Sequence, residues 1–330
     1  MVATAIIALS VPVSASAQSF CPDTLIRIVV PFPAGGPVDS TARIITEPLK
    51  DALGQNVVIE NRSGASGSVA TGYVAQQPGN GCTILFSYDT HGVNPALYEN
   101  LPFNTLKAFK AVMLIGTLPA FMAVHPSHPW KTLDEVMAAA KSDGNLPYTT
   151  GSTGTLAHLA MKRIEQKYDV RMRHVSYRGA APALADVLGG HVPMMLGSVN
   201  ALAPSIREGK LRAVMQTGND RHPMLPDTPT ISELGHPGLE VVSWIGAFLP
   251  ASSPDDLVVR LSQNLKTILH DKSVQDRLTG IGIQVVGRHQ RNCRRSLRTK
   301  SRVGLRWSSG TTLSPNEHRV SAARIRAEGA

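Results

Sequence analysis

The chain has 330 residues, 42% of them hydrophobic and 17% charged, with a formal net charge of +9. That length and apolar content provide for a core large enough for two domains and exclude a disordered chain. The charge does not point to nucleic acid: from Arg288 onward there are 11 Lys and Arg against two acids, so the whole excess sits in the last 43 residues and the body is neutral.

The opening MVATAIIALSVPVSASAQ is a short apolar stretch ending in Ala15-Ser16-Ala17, the small-x-small pattern of a signal-peptidase site. Residues 1–17 are expected to be an export signal, atypical because no Lys or Arg precedes the apolar run; a start upstream of Met1, or a buried strand or helix, are the alternatives. No other segment approaches the ~18 uninterrupted apolar residues of a membrane span. Export to an oxidising compartment allows Cys21 and Cys82 to pair. Both precede strand-like runs whose N-terminal ends would adjoin if the strands are parallel neighbours. Two reduced buried thiols are the other reading.

LIRIVVPF reads as a strand and STARIITEPLKDAL as a helix, with Ala42, Ile45, Leu49 and Leu53 on one face and a kink expected at Pro48. NVVIENR (strand), SVATGYVAQQ (helix) and CTILFSY (strand) complete a β-α-β-α-β series, the pattern of a parallel sheet with right-handed crossovers. FKAVMLIG and AFMAVHP read as two further strands. TLDEVMAAAK is a helix opened by a Thr132–Glu135 capping box. A second series follows, with NLPYTTGS, RMRHVSY, VPMMLGS and LRAVMQTG as strands alternating with the helices LAHLAMKRIEQKY, APALADVLGG and APSIREG. The helix PDDLVVRLSQNLKTIL packs back. The expected fold is α/β, two domains each built on a mainly parallel sheet flanked by helices: residues 18–122 plus about 219–287, and residues 123–218.

In open α/β sheets ligands bind beyond the carboxyl ends of the strands. PFPAGGPVDS lies there. Gly35 and Gly36 let backbone amides approach a ligand, prolines 31, 33 and 37 stiffen the loop, and Asp39 or Ser40 is placed to cap a helix whose N-terminus favours an anion. The second series has its own version in Gly151-Ser152-Thr153-Gly154-Thr155. Two such loops suggest a cleft that holds a carboxylate from both sides; an ordinary strand-to-helix turn is the plainer reading of either alone.

These stretches, with VVIENRSGASG, THGVNPALYENLPF, VHPSHPWKTLDEVMAAAK, VSYRGAAPALADVLGGHVPMM, LPDTPTISELG and SWIGAFLPASSPDDLVVRL, resemble the Bug family, periplasmic solute receptors of tripartite tricarboxylate transporters, in family order from residue 24 to about 287. The resemblance implies a Venus-flytrap, type II periplasmic-binding-protein-like fold. It also implies a periplasmic, monomeric, non-enzymatic receptor with no cofactor, a small carboxylate ligand and permease subunits as membrane partners. Carried over by position, Phe32, Ala34, Gly35, Gly36, Asp39 and Ser40 come from the first loop, and Ser152, Thr155 and His158 from the second. Ser87, Thr90, Tyr177 and Gly179 complete the cleft. His158 reads equally as a structural hydrogen-bond partner, and Tyr177 as a wall residue. Where family members often carry an acid, this chain has Pro193 and Gly197, which disfavours an amino-acid ligand.

No GxSxG elbow, Walker A sequence or dinucleotide fingerprint is present, and His125 and His128 lack zinc-site spacing. A hydrolase or transferase in the same cleft would have only His158 as an obvious titratable group. From Arg288 the text becomes Arg- and Ser-rich without amphipathic period, where the family ends in a helix with a late Trp. Residues 288–330 are therefore expected to be an aberrant, frameshifted and disordered tail, which also leaves a non-functional product open.

Overall fold

The computed structural model describes residues 19–289 apart from Thr24 and Glu99. The expected export signal lies outside the described residues, as does the expected tail beyond His289.

The first series runs β1 (Leu25–Val30), α1 (Pro37–Leu53), β2 (Asn56–Asn61), α2 (Ser68–Ala75) and β3 (Thr83–Ser87), then the short helices α3 (Thr90–Leu97) and α4 (Thr105–Ala108). The long strand β4 (Phe109–Val124) leads to the second: α5 (Leu133–Asp143), β5 (Leu146–Thr149), α6 (Leu156–Tyr168), β6 (Met172–Val175), α7 (Ala180–Leu188), β7 (Met194–Ser198), α8 (Val199–Arg207) and β8 (Arg212–Gln216). The chain then returns through β9 (Val242–Pro250), α9 (Asp255–His270), α10 (Lys272–Gly280) and β10 (Gln284–His289). Arg288 and His289, the first residues of the expected tail, still pair with Leu114 and Met113.

The strands follow the order β2-β1-β3-β9-β4-β7-β5-β6, with β8 and β10 also paired to β4. β1 is parallel to β2 and β3, and β5 is parallel to β6 and β7, whereas every pairing of β4 and β9 is antiparallel. Each half thus keeps a parallel centre, and β4 joins them. The two strands expected from FKAVMLIG and AFMAVHP are one. Residues 109–119 pair with β9, and residues 120–124 with β7. Pro119 sits at the last rung before the partner changes, where its missing N–H disrupts least. Gly116 is required by close packing, since a Cβ there would lie 2.4 Å from Ile283 Cγ2.

In the first half α1 buries Ala42, Ile45, Leu49 and Leu53 against β1 and β3, with Leu261 and Leu265 of α9 alongside. Each of the Ile and Leu side chains contributes about 1.5–3 kcal/mol of burial. Anchored on both sides of Pro48, α1 runs unbroken to its left-handed C-cap at Gly54. The second half packs Val136, Met137, Ala160 and Ile164 on Tyr148, Met122 and Leu196. Thr132 and Glu135 form the expected capping box. The segment after β8 belongs with this half: Ile231, Leu234, Leu239 and Val241 pack on its core, so the expected boundary at 218/219 falls inside it and the chain crosses back at Val242. Thr217 ties the two crossings together, its Oγ1 accepting from Ala120 N–H (3.0 Å) and its carbonyl accepting from Val241 N–H (2.9 Å). Cys21 and Cys82 are disulfide-bonded at the N-terminal ends of β1 and β3, Cα atoms 4.8 Å apart. No helix among the described residues is long and apolar enough to cross a membrane.

Candidate functional site

The turn from β1 into α1 is rigid because it satisfies itself. Gly35 adopts φ +85°, a conformation that costs other residues a steric penalty, and its N–H donates to Asp39 Oδ2 (2.9 Å). Asp39 is buried and also accepts from Arg43 Nε (2.8 Å) and Asn61 Nδ2 (3.0 Å). Burial alone would raise its pKa, but the bonds from Arg43, Gly35 and Asn61 together hold it below the usual carboxylate value. Asp39 was also expected as a helix cap; it is not one, because α1 starts earlier, with Gly36 as N-cap and Pro37 in its first position, and receives no side-chain cap.

The second loop is braced from behind. Thr155 caps α6, accepting the N–H of His158 (3.2 Å). The His158 ring turns back, its Nδ1 accepting from Gly154 N–H (3.2 Å), and stacks on His174 with centroids 4.2 Å apart. His174 Nε2 meets Thr150 Oγ1 at 2.8 Å. Burial, then the neighbouring His174 and Lys162, push His158 down to about 3; burial, then Lys162, push His174 down to about 4. Both rings are neutral at physiological pH.

Between the two loops lies one cleft of about 770 Å³, a volume that includes its mouth open to solvent. Of the expected contacts, Phe32, Ala34 and Gly36 line it from the first half, and Ser152, Thr155 and Gly179 from the second. The others do not line it. Gly35 and Asp39 are engaged with each other, and Ser40 N–H closes the first turn of α1 on Gly36. Ser87 and Thr90 are buried, and it is Tyr88 between them that reaches the cleft. His158 braces the loop, and the Tyr177 hydroxyl donates to Asp186. Reading the sequence missed Tyr88, Met195, Ser198 and Ser243. Tyr88 lies just past the end of β3, and the others depend on which strand ends the topology gathers.

The N-termini of four helices, α1, α6, α7 and α8, converge on this cleft through Gly36, Thr155, Gly179 and Ser198. Backbone N–H groups at such ends, with the helix dipole behind them, favour an anion. No Asp, Glu, Lys, Arg, His or Cys lines the cleft among the described residues. At β7, Gly197 lines it, and the position of a missing Cβ is 2.7 Å from Met195 Cε. The halves also touch beside the cleft: Ser66 Oγ donates to Thr153 O (2.7 Å), and Leu97 packs where a side chain on Gly154 would go.

Residues 41–303 match the family described as the tripartite tricarboxylate transporter family receptor. A protein encoded in the tcbD-tcbE intergenic region of Pseudomonas sp. strain P51 is 36% identical over 268 residues, 81% of this chain and 80% of that protein. BugT of Bordetella pertussis is 31% identical over 277 residues, 83% of this chain and 84% of that one. Among solved structures, the periplasmic binding protein BugD superposes with a TM-score of 0.81 at 28% identity, covering 87% of this chain and 97% of its own. A Rhodopseudomonas palustris protein solved with adipate gives 0.81 at 30% identity, covering 86% and 95%. The chain is a member of the Bug family, the receptors of tripartite tricarboxylate transporters.

Proposed function

We propose that the chain is a periplasmic, non-enzymatic receptor that captures a small organic carboxylate in the cleft between its halves and delivers it to the membrane subunits of a tripartite tricarboxylate transporter. The observation that carries this is the convergence of four helix N-termini on one cleft without charged side chains. Such a cleft stabilises an anion through fixed dipoles and offers no general base. His158 and His174, the imidazoles behind the second loop, are engaged with Gly154 and Thr150, which argues against a hydrolase. The relative solved with adipate supports the ligand class.

The two lobes of this reading are residues 19–119 with 242–289, and residues 120–241, joined where β4 and the stretch before β9 cross. Closure around the ligand is favoured because only the closed state lets both lobes contact it. A thermal-shift screen of the purified chain against organic acids tests the reading. One or more carboxylates should raise the melting temperature in a concentration-dependent way, and a ligand so found should be recovered unchanged after prolonged incubation. A broad panel without any shift would refute it.

A further inference from the structure

We propose that the cleft takes an amphiphilic monocarboxylate, with a single anionic head held by the second half and an apolar body laid against the first. This rests on the receptor reading and narrows its ligand class.

The walls of the cleft are chemically unequal. The first half presents Phe32, Pro33, Pro37, Val38 and Tyr88. Phe32 and Tyr88 stand edge to face, ring centroids 6.0 Å apart, as one aromatic surface. The two side-chain hydroxyls on this wall are already engaged: Tyr88 bonds Ser243, and Ser243 Oγ donates to the buried Asp89 carboxyl at 2.5 Å. An anion pressed to this side therefore meets rings, prolines and a carboxyl group behind them. The α1 terminus differs from the others in carrying a carboxylate in its first turn, that of Asp39, paired with Arg43 and taking the Gly35 N–H.

The second half is lined by Ala157, Ala180, Ala181, Pro182 and Met195 as well, but it brings three helix ends to the cleft. The N-termini of α6, α7 and α8 all open onto the cleft, none with an acid in its first turn. The ends of α7 and α8, like that of α1, have no side-chain cap, so their first N–H groups are uncommitted to one. Ser198 adds a hydroxyl to the same side, while the Thr150 and Ser152 hydroxyls already donate to the backbone carbonyls of Ser152 and Thr153. One carboxylate is well served there. A second, at the far end of the ligand, would be buried against the aromatic wall with no cation to pair it, which is costly.

Matched acids separate the possibilities. Titration calorimetry of the purified chain at pH 7 compares hexanoate with adipate and benzoate with terephthalate, pairs that differ in one carboxylate. The monocarboxylate of at least one pair should bind about tenfold tighter or more, the cost of leaving one charged group unsatisfied. Phe32→Lys places a cation on the apolar wall and should move the ratio toward the dicarboxylate, with the melting temperature of the ligand-free variant reporting its fold. Adipate and terephthalate binding as tightly as their partners, or a ratio unmoved in a folded Phe32→Lys variant, would overturn the amphiphile and leave the receptor intact. If no acid binds at all, the receptor reading fails and takes this inference with it.

Discussion

The two ligand-facing loops look alike as text, each a strand end followed by glycines and small residues and then a helix, yet they are held by different means. The first is stiffened within its own turn by a buried carboxylate that takes the Gly35 amide and is neutralised by Arg43. The second is supported from the sheet beneath it by two stacked neutral imidazoles, one on Gly154 and one on Thr150. The halves that carry them differ in the same sense: the first is covalently stapled between β1 and β3, while the second relies on its core. Similar glycine-rich turns thus acquire rigidity from whatever chemistry the surrounding fold supplies, and the two should fail under different challenges.

The largest expected effect is on the staple. The disulfide spans a sequence separation of 61, for which chain entropy gives about 4 kcal/mol. Cys82→Ser should lower amide-exchange protection across β1, β2 and β3 by that order while leaving β5, β6 and β7 little changed. Equal loss in both halves would show that they unfold as one unit.

Next comes the carboxylate clamp. Asn at position 39 turns an amide toward donors, so Asp39→Asn should cost about 2 kcal/mol in urea unfolding at neutral pH. Because the folded pKa of Asp39 lies below its unfolded value, its stabilisation is complete above about pH 4 and fades as pH falls through the depressed folded value. The gap between wild type and variant should therefore close at the acid end. A gap unchanged down to pH 2 would mean that packing, not charge, sets the clamp.

The imidazole pair predicts a different window. His158 and His174 are pushed from 6.5 down to about 3 and about 4, so the unfolded chain gains protons first and stability should fall as pH drops from about 6.5 toward 4. The slope is at most about 1.4 kcal/mol per pH unit for each ring. Replacing both with Gln should flatten this limb. It should leave the share due to His91, buried in the first half and likewise pushed down to about 3. If the double variant keeps the full slope, the second loop does not depend on neutral rings.

Much of this was legible in the text. The alternation of strands and helices, the Thr132 cap and the two loops follow from local periodicity and turn chemistry. What was not legible is non-local. GTLPA reads as a break, yet Gly116 and Pro119 sit inside one strand, because β10 packs against the glycine and the partner strand changes at the proline. Residues 219–241 carry no marker of which half they join; Ile231 and Leu239 decide it by packing. In the site, Ser87 and Thr90 were expected to line the cleft, but both are buried and Tyr88 between them lines it. His158 stands in the right turn of the right helix and faces the wrong way, since Gly154 offers its ring a donor.

The smallest expected change in stability is the sharpest test of how the first loop works. Gly35 and Gly36 are neighbours with opposite requirements: Gly35 needs its positive φ, whereas Gly36 has φ −76° and ψ 169°, a conformation open to any residue. A Cβ on Gly36 would meet nothing closer than Pro33 O at 3.6 Å, so the glycine at 36 keeps the cleft open and is not demanded by the backbone. Gly36→Asp should then shift stability by no more than about 0.5 kcal/mol. Its side chain enters the cleft with a negative charge, and the thermal shift given by any carboxylate that stabilises the wild type should disappear. Gly35→Asp should do the opposite, losing stability through strain at φ +85° and through repulsion of Asp39. Should both variants lose stability alike, the loop is a single strained unit and the division between a locking glycine and a gating glycine is wrong.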